Sequence, residues 1–314
     1  MRTSNELYPT ELTQVELATA EKCGKGRGNL GQEGVRTRLL CATVLLNHVY
    51  LGGYYWPMQY TGEVAQIQQA ASRTADYAAR RAATFEGLAP KAGEHILEVG
   101  CGSGLFIKQV AEAVGPSGRA HAVDVSEDQI TVARSACSGL SAVELRVASA
   151  LDLPYAAESF DAVASIQVLE YIYDVDCALR ELRRVLKPAG RFVNFATNWD
   201  AVFWNSRSPD RERQILDGWR KHAPFPNLPA VLRPRLAAAD FAVVRQSPVS
   251  ILNTTYNMET YSYWLARLVA AFVVERQLVA PEIAAAWLDD LADAVERDEY
   301  MFCSMAVVTW AVAS

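Results

Sequence analysis

The sequence has little of what metal and disulfide sites require. Its 314 residues include four histidines and six cysteines, and no two cysteines form a C-x-x-C pair. We therefore expect no metal site, because no ligand spacing supports one. Scattered cysteines in a chain of this length predict reduced thiols and a cytoplasmic protein. The cysteines are Cys23, Cys41, Cys101, Cys137, Cys177 and Cys303.

Long apolar runs and an excess of positive charge are also absent. The most apolar stretches, Leu39–Asn47 and Trp264–Val274, are shorter than the roughly 20 residues that a membrane-spanning helix needs. The polar start of the chain lacks the apolar core of a signal peptide. A formal net charge of -6 argues against nucleic acid as the main partner, because phosphate binding needs a basic face.

The most informative stretch that is present is His95–Leu105, HILEVGCGSGL. The apolar run Ile96–Val99 predicts a buried strand, and a helix is predicted from Leu105 to Val114. The turn between them contains Gly100, Gly102 and Gly104. Glycine permits a tight turn and a close ligand, and the free N–H groups of the new helix point at the same place. The pattern predicts a nucleotide-type cofactor site, with a tight turn that binds nothing as the alternative.

The glycine spacing and one acid distinguish two classes of cofactor. A dinucleotide site needs G-x-G-x-x-G, but Leu105 stands where the third glycine belongs. With Glu98 the pattern is E-x-G-x-G-x-G, which resembles motif I of class I S-adenosylmethionine-dependent methyltransferases. The resemblance implies S-adenosylmethionine as cofactor and S-adenosylhomocysteine as its product, and it disfavours a nicotinamide dehydrogenase.

A second acid ends the next predicted strand. Ala120–Val125 reads AHAVDV, in which Asp124 follows the apolar residues. Asp124 stands about twenty residues past the glycine turn, where an acid can bind both ribose hydroxyls of a nucleoside. Capping of the following helix is the alternative role, although Ser126 can equally cap it.

Strand and helix patterns alternate from residue 94 onward. Strands are predicted at 95–99, 119–124, 143–147, 160–166, 191–196, 242–250 and 301–312, and longer helices at 67–88, 258–279 and 281–297. Such alternation implies a mostly parallel sheet that is covered by helices on both faces.

Four later segments extend the resemblance over about residues 60–200. They are Ala148–Tyr155, Phe160–Ala164, Ile166–Tyr173 and Leu179–Phe192. In this order they resemble the motifs of the ubiquinone/menaquinone-type (methyltransferase type 11-like) class I methyltransferases. The resemblance implies an α/β, Rossmann-like fold: a seven-stranded, mostly parallel sheet with helices on both faces, an antiparallel last strand and a helical lid.

The resemblance also implies a set of cofactor-binding residues. They are Glu98, Gly100, Gly102, Gly104, Asp124, Val125, Ser149, Ala150 and Gln167. The glycine turn is expected to hold the methionine part and Asp124 the ribose. Ser149 and Ala150 are expected to meet the adenine edge, and Gln167 to lie near the sulfonium. The chain departs from the family at Ser149, where Asp is common, and at Tyr171, where His is frequent and a histidine base is therefore missing.

Transfer of a sulfonium methyl group requires few catalytic groups from the protein. The methyl carbon is already electrophilic, so the protein has to align a nucleophile and exclude water. A general base helps only when the acceptor arrives protonated. The candidate bases are Glu170 and Tyr171 near the cofactor edge, and His48 and His222 in segments outside the core pattern.

Segments outside the core pattern are expected to cover the substrate. Residues 1–60 are predicted to form an N-terminal helical and aromatic lid segment. Residues 61–314 are predicted to form the methyltransferase domain, with lid insertions at 198–230 and 255–297. The aromatic residues expected at the acceptor are Tyr54, Tyr55, Trp56, Trp199, Trp204 and Tyr256. Packing of the lid onto the core is the alternative role for any one of them.

The expected function is methyl transfer to a small aromatic or apolar metabolite, by O- or N-methylation in natural product biosynthesis. Two alternatives remain: C-methylation of a quinone or prenyl-type acceptor, and a non-methylating S-adenosylmethionine-binding protein or cyclase. The expected partner is the small-molecule acceptor, without nucleic acid or a membrane span. The sequence leaves open whether the protein forms a homodimer.

Overall fold

A seven-stranded sheet lies at the centre of the computed structural model, which describes residues 62–314. The strands are β1 (His95–Val99), β2 (Arg119–Asp124), β3 (Val143–Val147), β4 (Phe160–Ile166), β5 (Leu186–Trp204), β6 (Phe241–Asn253) and β7 (Phe302–Ala313). Their order across the sheet is β3-β2-β1-β4-β5-β7-β6. Strands β1 to β5 are parallel to one another, and β7 is antiparallel to both β5 and β6. The predicted fold class is confirmed.

Helices cover both faces of this sheet. They are α1 (Gly62–Ala71), α2 (Ala75–Leu88), α3 (Leu105–Val114), α4 (Glu127–Ala136), α5 (Val175–Val185), α6 (Pro209–Trp219), α7 (Leu228–Ala238), α8 (Tyr261–Glu275) and α9 (Pro281–Glu296), with 3-10 turns at Leu169–Tyr171 and Arg220–His222. Because side chains alternate along a strand, Ile96 packs with residues of α2, α3 and α4, while Leu97 packs with α5 and α7. No helix within residues 62–314 is long and apolar enough to cross a bilayer.

Two predicted elements differ from the observed ones. The predicted strand 191–196 is much too short, because β5 runs from Leu186 to Trp204. Its last residues pair with β7, for example Trp204 with Phe302, so the start of the expected insertion at 198 is strand. The predicted helix 67–88 is two helices, because the side chain of Thr74 accepts the N–H of Tyr77 and begins a new helix.

The long strands carry a third apolar cluster beyond the carboxyl edge of the sheet. Pairing between β4 and β5 ends at Ile166 and Phe195, so the later residues of β5 extend past that edge. Helices α6, α8 and α9 pack on this extension, and we call these three helices the helical cap. The cap therefore lies on the side of the sheet where ligands bind in open α/β folds.

Candidate functional site at the carboxyl edge

The three glycines after β1 have different structural roles. A Cβ at Gly100 would clash with the side chain of Val168, and a Cβ at Gly104 would lie 2.8 Å from the Cβ of Ala133, where α3 packs on α4. Gly102 has a φ of +48°, and a Cβ there would meet only Gln129 Oε1, at 3.9 Å. Gly100 and Gly104 thus allow close packing, and Gly102 is the one that faces open space.

Asp124 ends β2 directly beside this loop. One carboxylate oxygen accepts the N–H of Gly102 at 2.9 Å, and the other accepts the N–H of Ser126 at 3.0 Å. A carboxylate has about four acceptor positions, so two remain for the hydroxyls of a ribose. The cap of α4 is Ser126, whose hydroxyl accepts the N–H of Gln129, and Asp124 is free of that role.

Glu98 brings a buried carboxyl to the other side of the loop. Its side chain is buried, and Oε2 has no hydrogen-bond partner among the described residues. Burial above all, and also the charge of Asp124, raise the pKa of Glu98 well above its usual value. An orphaned buried acceptor needs a donor, and the amino group of a methionine moiety is one.

Arg81, which sequence analysis did not identify, provides positive charge near Glu98. Its guanidinium donates to the carbonyl of Ser72 at 2.8 Å and keeps a buried Nε without a partner among residues 62–314. The charge of Arg81 also lowers the pKa of Glu98. A guanidinium and a carboxyl acceptor that influence each other electrostatically match the carboxylate and the amino group of methionine. The donor set at this end therefore fits S-adenosylmethionine.

The residues expected at the adenine are brought together at the ends of β2 and β3. The N–H of Ala148 donates to the carbonyl of Asp124 at 3.0 Å, which holds the two strand ends side by side. The hydroxyl of Ser149 accepts the N–H of Leu151 at 3.2 Å, so its own proton remains available for donation. Val125 is 73% exposed and offers apolar surface for a flat base.

Gln167 links three elements next to the glycine loop. It follows β4 with a φ of +53°, and its neighbour Val168 packs on Gly100. Its side-chain amide donates to the hydroxyl of Thr197 at 2.9 Å and accepts a hydrogen bond from the guanidinium of Arg80. The side chain of Gln167 is thus held between β5 and α2 and does not move freely.

Arg80 is a buried charge that sequence analysis missed. The guanidinium carbon lies 3.9 Å from the ring centre of Tyr261 and 4.6 Å from that of Tyr77. Its Nε and Nη2 atoms are buried without a hydrogen-bond partner among the described residues. On sequence alone an arginine in a helix predicts a solvated face, and only the packing of α8 reveals that this one is inside.

Glu170 is fully buried on the 3-10 turn that follows Gln167. No side chain within the described part of the chain hydrogen-bonds to its carboxyl oxygens. Burial raises the pKa of Glu170 to about 8, and backbone N–H groups together with the charge of Arg80 keep it from rising further. Near neutral pH this side chain can therefore hold or release a proton.

We expect this carboxyl to make the wild-type protein less stable as the pH rises from about 5 to about 8. The folded pKa lies above the unfolded one, so the contribution is fully present at low pH and is lost through this window. One such group changes the free energy of unfolding by up to about 1.4 kcal/mol per pH unit. Glu170→Gln, which does not titrate, should show a shallower decline in urea unfolding across the same pH series. Parallel profiles for the two proteins would show that Glu170 is not buried in its protonated form.

His222 packs between Trp199 of β5 and two rings of the cap, Trp219 and Phe272. Its ring stacks on Trp219 with centres 3.7 Å apart and is fully buried. Burial lowers the pKa of His222 to about 3. Accepting a proton is therefore unfavourable for this ring, which favours Glu170 as the base. Tyr171 contacts His222 edge-on at 5.6 Å.

The aromatic residues expected at the acceptor lie at different depths. Trp199 is buried against His222 at 4.8 Å, close to the turn that carries Glu170. Trp204 is fully buried between Trp287 and Phe302, deep in the cap. The hydroxyl of Tyr256 accepts a hydrogen bond from Arg267 at 3.0 Å. Trp199 and Tyr171, the neighbour of Glu170, both contact the ring of His222. The predicted residues His48, Tyr54, Tyr55 and Trp56 are outside the described residues.

No cluster of histidine, cysteine or acidic side chains suited to a metal ion occurs in the part of the chain from residue 62 on. What the carboxyl edge offers instead is a line of hydrogen-bonding groups across β3, β2, β1 and β4. Ser149, Asp124, the glycine loop and Gln167 follow one another along it. This line suits an elongated nucleoside ligand with a polar tail.

Comparison with known proteins agrees with this geometry. Residues 97–194 match the methyltransferase domain family. A demethylmenaquinone methyltransferase of Symbiobacterium thermophilum is 36% identical over 104 residues, which are 32% of this chain and 41% of that protein. The O-methyltransferase cnsE of Penicillium expansum is 33% identical over 150 residues, 46% of this chain and 51% of that protein. The chain spans about half or less of the length of these curated relatives.

One solved structure is similar over most of the chain. The cyclase SpnF is 25% identical, with a TM-score of 0.50, over 86% of this chain and 92% of that chain. This similarity extends over much more of the chain than the match to residues 97–194.

Proposed function

We propose that this protein is a class I S-adenosylmethionine-dependent methyltransferase that methylates a small aromatic or apolar metabolite, because residues 97–194 match the methyltransferase domain family. The observation that carries the proposal is the open Gly102 at a loop with two acidic side chains, Asp124 and Glu98, each with hydrogen-bonding positions to spare. When bound, S-adenosylmethionine supplies a methyl group on a positively charged sulfur, which makes the methyl carbon electrophilic.

The residues of the loop bind and orient the nucleoside ligand. Asp124 takes the ribose hydroxyls with its remaining lone pairs, while its bonds to Gly102 and Ser126 keep the carboxylate fixed. Glu98 and Arg81 take the amino and carboxylate groups of the methionine part. A site whose donors and acceptors are already held in place loses little conformational entropy on binding.

Residues next to Gln167 prepare the acceptor. Glu170 takes a proton from an acceptor hydroxyl, and the buried surroundings of Trp199 exclude water from the transfer. The helical cap covers the carboxyl edge on the acceptor side. The cap is assigned to the acceptor because its helices pack beyond the carboxyl ends of the strands.

The test is a search for methylated products. The protein is incubated with S-adenosylmethionine carrying a deuterated methyl group and with a panel of phenols, quinols, amines and prenyl alcohols. We expect S-adenosylhomocysteine and one product class with the labelled methyl group, detected by mass spectrometry. Tight cofactor binding with no transfer to any class in the panel would argue against a methyltransferase.

A non-methylating cyclase is the second candidate, because SpnF matches 86% of this chain. A cyclase of this type would bind the same ligand without consuming it. Cyclisation of an added polyene without formation of S-adenosylhomocysteine would support this second function over the first.

A further inference from the structure

Where the long strands extend past the carboxyl edge, apolar side chains are exposed on the face opposite the helical cap. Phe203 of β5 and Leu252 of β6 both pair with Cys303 of β7, so these three side chains form one row across the sheet. Phe203 is 44% and Leu252 61% exposed. Such a row is unusual, because helices cover both faces of the sheet in α/β folds.

The row belongs to a larger face of the same three strands. Side chains alternate along β7 and the residue before it, so Met301, Met305 and Val307 lie on the same side as Cys303, while Phe302 packs with the cap on the other side. Six apolar residues of the first side belong to none of the clusters that the described helices form with the sheet. We call these six residues the open face: Phe203, Leu252, Met301, Cys303, Met305 and Val307.

The open face contains no charged residue, whereas the free edge of the neighbouring strand β6 is protected. β6 is the last strand of the sheet, and its Pro248 has no N–H to donate. A bulge between Val243 and Arg245 interrupts the ladder, and Arg245 adds an exposed charge. Bulges, prolines and charges on an edge strand discourage pairing with another chain. We therefore expect a partner on the open face and not at the edge.

The size and the border of the open face suit an interface between subunits. Three strands and seven residues along β7 give about 15 Å by about 20 Å, or about 300 Å² in projection. Phe203 also lines a cleft against α6, which adds the apolar side chain of Leu216, two arginines and two acids. A stable dimer buries about 800 Å² on each copy, with an apolar centre and a polar rim. The open face supplies that centre, and the cleft extends it into a charged rim.

We propose that the open face is the contact between two copies of this chain, which pack face to face as a two-fold dimer. A two-fold axis brings the same patch of both copies together, so each uncharged face meets another uncharged face. The two arginines and two acids of the cleft balance each other, and the rim therefore does not repel a second copy. A strongly charged partner would have no opposite charge to meet on this face.

The dimer leaves the cofactor site of each copy accessible. Two sheets that pack face to face lie about 10 Å apart, with the side chains of both filling the space between them. The glycine loop follows β1, which β4 and β5 separate from β7. The inference therefore stands apart from the proposed function and is tested without it.

The test is analytical ultracentrifugation of the full-length protein over about a hundredfold range of concentration. At the upper end we expect the wild type to sediment near twice its monomer mass of 34.5 kDa. Leu252→Asp and Phe203→Asp each put a charge into the apolar centre and should weaken the dimer by at least about thirtyfold. Phe203 lies on β5, which β7 separates from β6, so its effect cannot come from pairing at the free edge.

Val244→Asp is the matched control, because Val244 is 68% exposed on the same strand as Leu252 but lies at the bulge. It introduces the same charge and should dimerise as the wild type does. Thermal unfolding verifies that each variant is folded, since substitutions of exposed residues change stability little. A wild type that stays monomeric at every concentration, or a dimer that persists in both Leu252→Asp and Phe203→Asp, would overturn the proposal. Dissociation by Val244→Asp alone would also overturn it, because the contact would then lie at the edge of β6.

Discussion

Replacing Asp124 with alanine is expected to weaken S-adenosylhomocysteine binding by about a hundredfold to ten-thousandfold. The change removes two charge-assisted hydrogen bonds to the ribose, each of about 1.5–3 kcal/mol, and 1.4 kcal/mol is a tenfold change in affinity. It also leaves the N–H groups of Gly102 and Ser126 without their acceptor. Isothermal titration calorimetry measures the loss.

Asp128→Ala is the control for charge, because Asp128 is exposed in the first turn of α4, four residues further on. It should bind the ligand as the wild type does. Asp124→Asn keeps one acceptor oxygen and should fall between the wild type and the alanine variant. If Asp124→Ala and Asp128→Ala bind S-adenosylhomocysteine with equal affinity, the ribose does not bind at Asp124.

Replacing Glu170 with glutamine is expected to lower turnover by about a hundredfold to ten-thousandfold and to leave cofactor affinity unchanged. A positioned base contributes about this much to rate when it removes a proton in the transition state. Glutamine keeps the shape of the side chain but accepts no proton. Single-turnover rates with the acceptor found in the product search, taken over a pH series, measure the effect.

The pH profile separates a base from a structural residue. Wild-type turnover should rise with pH and level off near the pKa of Glu170, about 8, and the residual rate of Glu170→Gln should lack this step. Tyr171→Phe tests the competing base on the same turn. Full activity in Glu170→Gln together with a large loss in Tyr171→Phe would assign the proton transfer to the tyrosine.

The cofactor side of the fold was predictable because its signals are local. The strands β1, β2, β3 and β4 have the bounds that their apolar runs predict, since each run is closed by a glycine, an acid or a turn. Glu98 and Asp124 stand at strand ends, where chain position alone fixes which edge they share. Local sequence therefore predicts the bounds of these strands and the sheet edge at which the two acids stand.

The acceptor side depends on contacts between residues far apart in sequence. Trp204 was predicted to face a substrate, but its partner Phe302 lies about a hundred residues later, and their pairing makes the segment a buried strand. Arg80 is buried beneath Tyr261 of α8, about 180 residues later in the chain, and also against Phe195 of β5. The amphipathic pattern of a helix does not indicate which charge a distant element covers.

The carboxyl-edge cofactor site is tested most directly by a crystal structure with S-adenosylhomocysteine. We expect the ribose hydroxyls on Asp124, the methionine part beside Gly102 and Glu98, and the sulfur turned toward Gln167. Density for the nucleoside away from Asp124, or an empty carboxyl edge in crystals grown at saturating ligand, would contradict it.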